Sequence, residues 1–514
     1  MQFNRTKNVK RNSVWGLISK IVGLLLPFAV RTVLIYSLGS EYLGLGSLFS
    51  SILTVLNLSE LGVGSAIVFS MYKPLADDDE ETVCALMNFY KKIYRFIGIC
   101  VLAAGLLLLP FLRYLIKGDA PPDVNIYVLY LIYLINSCLS YWLFAYKNCI
   151  LQANQRADIV SKNNLICNIV MHLAQIVLVL TVRNYYVYAV IIPLSTLAGN
   201  LLNAHQANKL FPHFLCNGQI DNNLKRSIGK RIVGLSLIKV AAVSRNSLDS
   251  IILSAFLGLT VVASYNNYFY ISNSVSAIIL VFTSSIAAAV GNMIATQGRE
   301  ENLKKMRHLN FMFMGLSGLC SVLMLNIYQP FMLIWVGKEM MFSDSIMVMF
   351  VIYFYLGKIG DVQAQYFDAA GLWWHGKWRG FIEAVANLSL NILLGYLFGV
   401  RGILLATIIS IAVVNIPLSI YFTFKYYFKM SPASYMLDHL ALLAVCLLAG
   451  TVSFFACSFL EQPASILPGI AYILIKVIIC AAIYIVCFCI LCRHPLFRET
   501  VLFVRSQIFK RKII

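Results

Sequence analysis

Long apolar stretches recur along the whole of this 514-residue chain, and they constrain its fold more than any other feature. About 20 apolar residues let an α-helix cross the roughly 30 Å hydrocarbon layer of a membrane. The stretches lack a period-two alternation, and backbone groups in lipid must hydrogen-bond internally, so they indicate helices rather than a barrel. We predict fourteen spans, at about 14–38, 43–71, 93–116, 125–149, 160–182, 185–208, 232–258, 261–291, 309–335, 346–370, 381–399, 401–424, 439–459 and 468–492.

The composition agrees with an all-α polytopic membrane protein. Hydrophobic residues make up 60% of the chain and charged residues 12%, with a mean hydropathy of +0.78, whereas soluble domains carry roughly 25% charged residues. The connections between spans are short, the acids of the outer loops are scattered singly, and no phosphate-binding loop is present. We therefore expect no enzymatic activity, no cofactor and no metal.

The distribution of basic residues predicts the orientation. With the N-terminus in the cytoplasm, most of the 41 lysines and arginines fall on the cytoplasmic side. This bias satisfies the positive-inside rule and places both termini in the cytoplasm. The basic C-terminal tail is expected to contact anionic lipid rather than nucleic acid. Only five basic residues fall outside, namely Arg113, Lys117, Arg183, Lys338 and Arg401.

Basic side chains inside the predicted spans are the main indication of function. A charge at membrane depth costs from about 2.5 to more than 10 kcal/mol, so it normally faces water or a partner. A largely cationic interior favours a pathway for something anionic. Six such residues are present, namely Lys20, Arg31, Lys239, Arg245, Lys358 and Lys476.

Acidic residues accompany some of these cations. Arg245 and Asp249 lie four residues apart on the seventh span, and Lys358, Asp361 and Asp368 form a polar stripe on the tenth. Such pairs either brace helices internally or line a pathway, where an acid such as Asp249 or Asp361 carries a coupling proton. The sequence leaves both interpretations open.

The first span carries cations and no acid. Lys20 and Arg31 lie eleven residues apart, which is almost three helical turns, so they share one stripe of this helix. Glu60, deep in the second span, is a conceivable partner of Arg31 and a candidate coupling group. Lys20 lies near the cytoplasmic end, where it can instead extend to lipid headgroups. Lys476, on the last span, is open to a lipid-facing or a groove role.

An internal repeat organises the spans. Shifting the chain by about 220 residues aligns several features and predicts two six-helix lobes, 1–216 and 217–430, followed by two further helices and a basic cytoplasmic tail in 431–514. Transporters built from such repeats bind substrate near mid-membrane, at the repeat interface. The aligned features are Leu38-Gly39 with Leu257-Gly258, Pro110 with Pro330, Lys117 with Lys338, and Arg156 with Lys377.

Three segments near the N-terminus resemble a known family. They are Leu38-Gly39-Ser40-Glu41-Tyr42-Leu43-Gly44-Leu45, Glu60-Leu61-Gly62-Val63-Gly64-Ser65-Ala66 and Tyr72-Lys73-Pro74-Leu75-Ala76. They are similar to the opening of Wzx-type polysaccharide flippases of the multidrug/oligosaccharidyl-lipid/polysaccharide exporter (MOP) superfamily. The resemblance implies a MATE-like fold of two six-helix lobes plus two helices. It also implies a bacterial inner-membrane flippase of undecaprenyl-pyrophosphate-linked oligosaccharide, with polysaccharide polymerase and glycosyltransferases as possible partners.

Basic residues lining a central cavity are implied to meet the anionic carrier. By position, the candidates for binding its headgroup are Arg31, Arg245, Lys239, Lys358 and Lys20. The alternatives are a cation-coupled exporter of small molecules on the same fold, a membrane scaffold for polysaccharide enzymes, and an enzyme with an intramembrane active site. The absence of an acid from the first span disfavours the exporter, whereas Glu60 and Asp249 keep it open.

Overall fold

The computed structural model describes residues 5–60, 62–461, 463, 466–490 and 497–500, and every regular element in these ranges is helical. Leu61 and the basic tail residues Arg505, Lys510, Arg511 and Lys512 lie outside them. The first helices are α1 (Arg5–Ser37), α2 (Ser40–Leu56), α3 (Val63–Ala76), α4 (Glu80–Leu108), α5 (Ile126–Trp142), α6 (Asn148–Ala153), α7 (Ala157–Val182), α8 (Tyr185–Leu210), α9 (Asn222–Val243) and α10 (Asp249–Leu257).

The remaining helices are α11 (Leu259–Ser285), α12 (Ala287–Thr296), α13 (Arg299–Val336), α14 (Asp344–Lys358), α15 (Asp361–Ala369), α16 (Lys377–Phe398), α17 (Val400–Ile409), α18 (Ile416–Thr423), α19 (Ala433–Ser458) and α20 (Ile466–Cys489). The chain divides into two compact units, Met1–Ala263 and Ser264–Ile514, called here the first and the second unit. The lobe limits at 216 and 430 stay predictions.

The polytopic, all-helical prediction is confirmed. Within the described residues, 10 helices are long and apolar enough to cross a membrane, or 11 if the bent pair Ile126–Trp142 and Ala145–Ala153 is counted as one span. The chain is therefore a multi-pass membrane protein. The predicted second, seventh and eighth spans do not pass this test as continuous apolar helices; each consists of two consecutive helices, α2 with α3, α9 with α10, and α11 with α12.

The breaks in the second and seventh spans have local causes. A 3₁₀ turn, Asn57–Glu60, ends the α2 segment, and Gly62 has φ 92°, a conformation that glycine adopts at little cost. A Cβ atom at Gly62 would lie 2.6 Å from the Leu235 Cβ on α9, so the helices approach closely here. In the seventh span, the π-helical turn Ser244–Leu248 separates α9 from α10. π-Bulges of this kind are frequent at functional sites.

Left-handed backbone turns recur at nearly the spacing of the predicted repeat. Residues with positive φ include two pairs 219 residues apart and three pairs 216 residues apart. Because such a conformation marks a fixed turn in the path of the chain, its recurrence is independent structural support for the repeat. The pairs are Gly39 with Gly258, Gly118 with Gly337, Phe144 with Gly360, Gln155 with Gly371, and Arg183 with Gly399.

Helix ends outside the membrane follow ordinary capping rules. Asp79 is the N-cap of α4, and its side chain accepts a hydrogen bond from the backbone N–H of Thr82 at 3.0 Å. Hydrogen bonds from the side chain and the backbone of Thr82 lower the pKa of Asp79, because they stabilise its ionised form.

In the second unit, α13, α19 and α20 share an apolar core, where Tyr484 donates to the backbone oxygen of Gly315 at 2.7 Å.

Candidate functional site

Glu60 lies at the break in the second span and is held by two tyrosines. Its carboxylate accepts hydrogen bonds from the hydroxyls of Tyr94 on α4, at 2.7 Å, and Tyr141 on α5, at 3.0 Å. The Tyr94 and Tyr141 rings meet edge to face at 5.5 Å, and Tyr90 packs against Tyr94 at 4.2 Å. The partners of Glu60 are therefore tyrosines and not Arg31, the partner that the sequence suggested.

Both identified partners of the Glu60 carboxylate are neutral hydroxyl groups. Two neutral O–H donors stabilise a carboxylate without a fixed cation. The sequence alone could not reveal these tyrosines, because Tyr94 and Tyr141 lie 34 and 81 residues from Glu60.

Arg31 lies half-buried on α1, one turn beyond Pro27. Its positive charge interacts with the hydroxyl of Tyr188 on α8. Tyr188 in turn stacks on Tyr185 at 5.2 Å, and Tyr185 contacts Tyr42 at 5.3 Å. The guanidinium of Arg31 therefore lies beside a group of aromatic rings with polar hydroxyls, near the end of α1 at Ser37.

Arg245 lies within the π-helical turn, and Asp249 follows it at the start of α10. Asp249 is 1% exposed and Arg245 is half-buried, and both make contacts with other groups. The α2 helix packs against both α1 and the π-helical turn, so one helix contacts the two segments that carry Arg31 and Arg245. Lys20 and Lys239 are both exposed.

The candidates of the second unit have identified partners. Lys358 and Asp361 form a 3.0 Å ion pair across the break between α14 and α15, where Gly360 has φ 99°. Asp368 accepts a hydrogen bond from Trp373 Nε1 at 3.0 Å. The ion pair joins the end of one helix to the start of the next, which is one of the two roles that the sequence left open.

Lys476 is buried, with 8% of its surface exposed, and its ammonium donates to the backbone oxygen of Asn326 at 3.4 Å. Pro330 stands four residues after Asn326 in α13 and has no N–H to bond that oxygen. The ammonium also lies 4.6 Å from the centre of the Tyr472 ring. Lys476 therefore donates to the Asn326 carbonyl oxygen, which has no N–H donor at position 330 of its own helix. This hydrogen bond connects α20 to α13.

Two polar clusters were not predicted from the sequence. Arg307 on α13 makes a bidentate pair with Asp438 on α19, at 2.6 and 2.9 Å, although the two lie 131 residues apart. Glu383, Asn387 and Asn391 are fully buried on one face of α16. Because residues four apart lie on the same face of a helix, this spacing in the sequence already indicated a shared polar face.

The α16 cluster is joined to its neighbours by hydrogen bonds. Asn387 donates to Thr407 Oγ1 at 3.1 Å, Asn391 donates to Asn387 at 3.2 Å, and Asn415 donates to the Glu383 carboxylate. Among the described residues, no group of three or more His, Cys, Asp or Glu side chains is placed to hold a metal ion.

Sequence comparison finds neither a protein-family model nor a curated protein that matches this chain. Structure comparison finds a lipid II flippase, MurJ, in an inward closed conformation, with a TM-score of 0.64 and 15% identity over 94% of this chain and 98% of that chain. The MATE transporter VcmN of Vibrio cholerae in its bent form matches with a TM-score of 0.54 and 14% identity, over 83% of this chain and 98% of that one.

A third solved structure, an outward-facing multidrug resistance MATE family transporter of the MOP superfamily, matches with a TM-score of 0.53 and 14% identity. This match covers 82% of the present chain and 95% of that chain. At identities this low, the matches show that the chain has the fold shared by these proteins, while function has to be argued from the residues.

Proposed function

We propose that this chain is a flippase that moves an undecaprenyl-pyrophosphate-linked oligosaccharide from the cytoplasmic to the outer leaflet of a bacterial inner membrane. It would supply repeat units for surface polysaccharide synthesis, by alternating access through a cationic, water-filled passage. The observation that carries this proposal is the placement of two half-buried cations, Arg31 and Arg245, on segments that pack against one helix, α2. The fold shared with the lipid II flippase over 94% of this chain agrees with it.

The chemistry of the substrate supports the assignment of roles to Arg31 and Arg245. A pyrophosphate carries about two negative charges and cannot enter hydrocarbon without replacement of its hydration shell. Guanidinium groups bind phosphate oxygens through charge-assisted, often bidentate hydrogen bonds. Both arginines lie on segments that pack against α2, and both are half-buried rather than fully enclosed.

The other cations are ranked below these two. Lys20 and Lys239 are exposed and can attract an anionic headgroup before it reaches the arginines. Lys358 is engaged with Asp361, so phosphate binding there would have to displace an ion pair. We assign the coupling role to Glu60, because its identified partners are two neutral hydroxyls rather than a cation.

The runner-up is a cation-coupled exporter of small molecules on the same fold. The observation in its favour is Glu60, a carboxylate within a span whose partners are neutral. Against it, α1 carries no acid and its mid-helix charge is the cation Arg31. Deletion of the gene should separate the two functions, because loss of an exporter broadly sensitises cells to drugs whereas loss of a flippase removes a surface glycan.

The decisive experiment is leaflet assignment of the lipid-linked oligosaccharide after replacement of the native protein by variants. Arg31→Ala and Arg245→Ala should leave the intermediate inaccessible to a membrane-impermeant glycan-modifying reagent and abolish surface polymer, at normal protein levels. Lysine at either position should restore part of the transport, because it keeps the charge and loses the bidentate geometry.

Arg226→Ala is the matched control, because Arg226 lies exposed on α9 outside the predicted spans. It should support wild-type amounts of polymer. Normal polymer from both the Arg31 and the Arg245 variants would refute the assignment of these residues. An intermediate that still reaches the outer leaflet after depletion of the whole protein would refute the flippase itself.

A further inference from the structure

A group of aromatic and basic side chains lies at one end of the spans in the second unit. It joins the segment before and within the first turn of α16 to the end of α18 and the π-helical turn Phe424–Phe428 that follows it. We call it the aromatic–lysine cluster, and it consists of Trp374, His375, Lys377, Trp378, Tyr421, Lys425 and Tyr426.

The geometry of the cluster brings both ammonium groups onto aromatic rings. Lys377 Nζ lies 3.3 Å from the centre of the Trp374 ring and 5.8 Å from that of Trp378. Lys425 Nζ donates to the Tyr421 hydroxyl at 2.5 Å and lies 5.6 Å from the centre of the Tyr426 ring. Contacts of this kind orient an ammonium group without neutralising its charge.

The two segments are held together as one surface. The rings of His375 and Tyr426 have centroids 4.4 Å apart, which joins the α16 side to the π-helical side. Behind them, Arg379 donates to Ser419 Oγ at 2.7 Å, and this bond ties the first turn of α16 to α18. The spacing of the two lysine-bearing segments is therefore fixed by the fold.

The aromatic–lysine cluster exposes its tryptophan side chains, and an exposed apolar side chain, Phe381, lies next to them. Trp374 and Trp378 are each 53% exposed. The Trp378 ring contacts that of Phe381 at 6.0 Å, one turn further into the span, and Phe381 is also exposed. A tryptophan at the end of a span lies at headgroup depth, with acyl chains on one side and water on the other.

The charge of the cluster is uncompensated. Within the described part of the chain, neither Lys377 nor Lys425 lies within ion-pair distance of an acid. Asp368 on α15 accepts a hydrogen bond from Trp373 Nε1 at 3.0 Å and interacts with the charge of Arg379. Two lysines at a membrane boundary therefore remain available to an anion.

We propose that the aromatic–lysine cluster binds the phosphate headgroup of an anionic phospholipid of the surrounding membrane, as a site separate from that of the transported substrate. The lysines would donate to the phosphate oxygens, while the acyl chains would lie along Trp378 and Phe381. Charge complementarity and the exposed apolar side chains at the same depth favour a lipid over a soluble anion, which would gain nothing from the exposed rings.

The test is native mass spectrometry of the full chain, released from micelles with a defined phosphatidylglycerol to phosphatidylcholine ratio. The wild type should retain phosphatidylglycerol selectively. The double variant Lys377→Gln/Lys425→Gln should retain it about 10- to 30-fold less, since each lysine near a membrane surface contributes about 1 kcal/mol to anionic-lipid binding.

Lys338→Gln is the matched control, because this exposed lysine lies at the opposite end of the α14–α15 segment, and it should bind as the wild type does. Trp374→Leu provides a second variant that keeps both charges, and it should weaken retention less than the double variant. The melting temperature of each variant in detergent identifies a folding defect.

Three results would overturn the proposal. They are equal retention of phosphatidylglycerol and phosphatidylcholine by the wild type, undiminished retention by a folded double variant, and full competition by soluble glycerol phosphate. Binding of an acidic peptide in place of lipid would reassign the surface to a protein partner.

Discussion

The two halves of the chain share five positive-φ positions, and three of them carry different residues in the two halves. At the three later positions of the repeat, the N-terminal half carries Phe144, Gln155 and Arg183, whereas the C-terminal half has glycine at each. A left-handed conformation costs a residue with a side chain about 1–2 kcal/mol and costs glycine little. The comparison shows that a positive φ recurs at these positions even where the residue is not glycine.

The two units also differ in the partners of their acidic side chains. In the first unit, Glu60 is held by two neutral tyrosine hydroxyls. In the second unit, Asp438 is paired with the guanidinium of Arg307, and Asp361 with the ammonium of Lys358. Of these three acids, Glu60 is the one whose identified partners are uncharged, and its proposed coupling role is based on this difference.

The largest effect is expected at the Arg307–Asp438 pair. Arg307→Ala leaves Asp438, whose side chain is 2% exposed, buried without its cation. Removal of one partner of a buried pair costs about 3–5 kcal/mol, so the free energy of unfolding should fall by that amount. Thermal melting of the detergent-solubilised protein measures it.

Two further variants sharpen this result. Arg307→Met combined with Asp438→Leu should recover most of the loss, because no buried charge remains. Tyr94→Phe removes one of the two donors to Glu60 and should cost only about 1.5–3 kcal/mol. An Arg307→Ala variant that melts at or above the temperature of Tyr94→Phe would contradict the distinction between the two kinds of acid.

A smaller effect is expected at Gly399, which joins α16 to α17 with φ 59° and ψ −132°. A side chain in such a sparsely populated region costs about 1–3 kcal/mol, so Gly399→Ala should lower the melting temperature. Gly357→Ala is the matched control, because Gly357 lies in helix α14 and a Cβ there meets nothing within 4 Å. Equal melting of the two variants would show that the turn tolerates a side chain.

The smallest effect is expected at the repeat partner of Gly399. Arg183 has φ 50° and ψ 39° and is exposed. Arg183→Gly relieves the left-handed strain but adds chain entropy to the unfolded state, so a net gain of up to about 1 kcal/mol is expected. Arg183→Ala removes the same charge and keeps the strain, so it should bring no such gain. A loss of stability in the glycine variant would mean that Arg183 contributes through its side chain.

The sequence by itself determined that the protein is an all-helical membrane protein with several spans. Apolar stretches of membrane length permit only internally hydrogen-bonded helices, so the polytopic all-helical fold followed from composition and run length. The sequence signals for the predicted repeat came from Leu38-Gly39 and Pro110, because glycine and proline are the residues whose backbone preferences show in a sequence. Where the repeat runs through Phe144 and Arg183, no residue marks the turn, and only the backbone reveals it.

Tertiary structure decided which charges have which partners. The sequence identified Glu60 and Lys476 as unusual, because a charged group at membrane depth is costly wherever it lies. It could not supply Tyr94 and Tyr141 for Glu60, or the Asn326 carbonyl for Lys476, since these partners come from other helices. Hydropathy is a property of each residue and survives in the sequence, whereas hydrogen-bond partners depend on how helices pack and exist only in the folded chain.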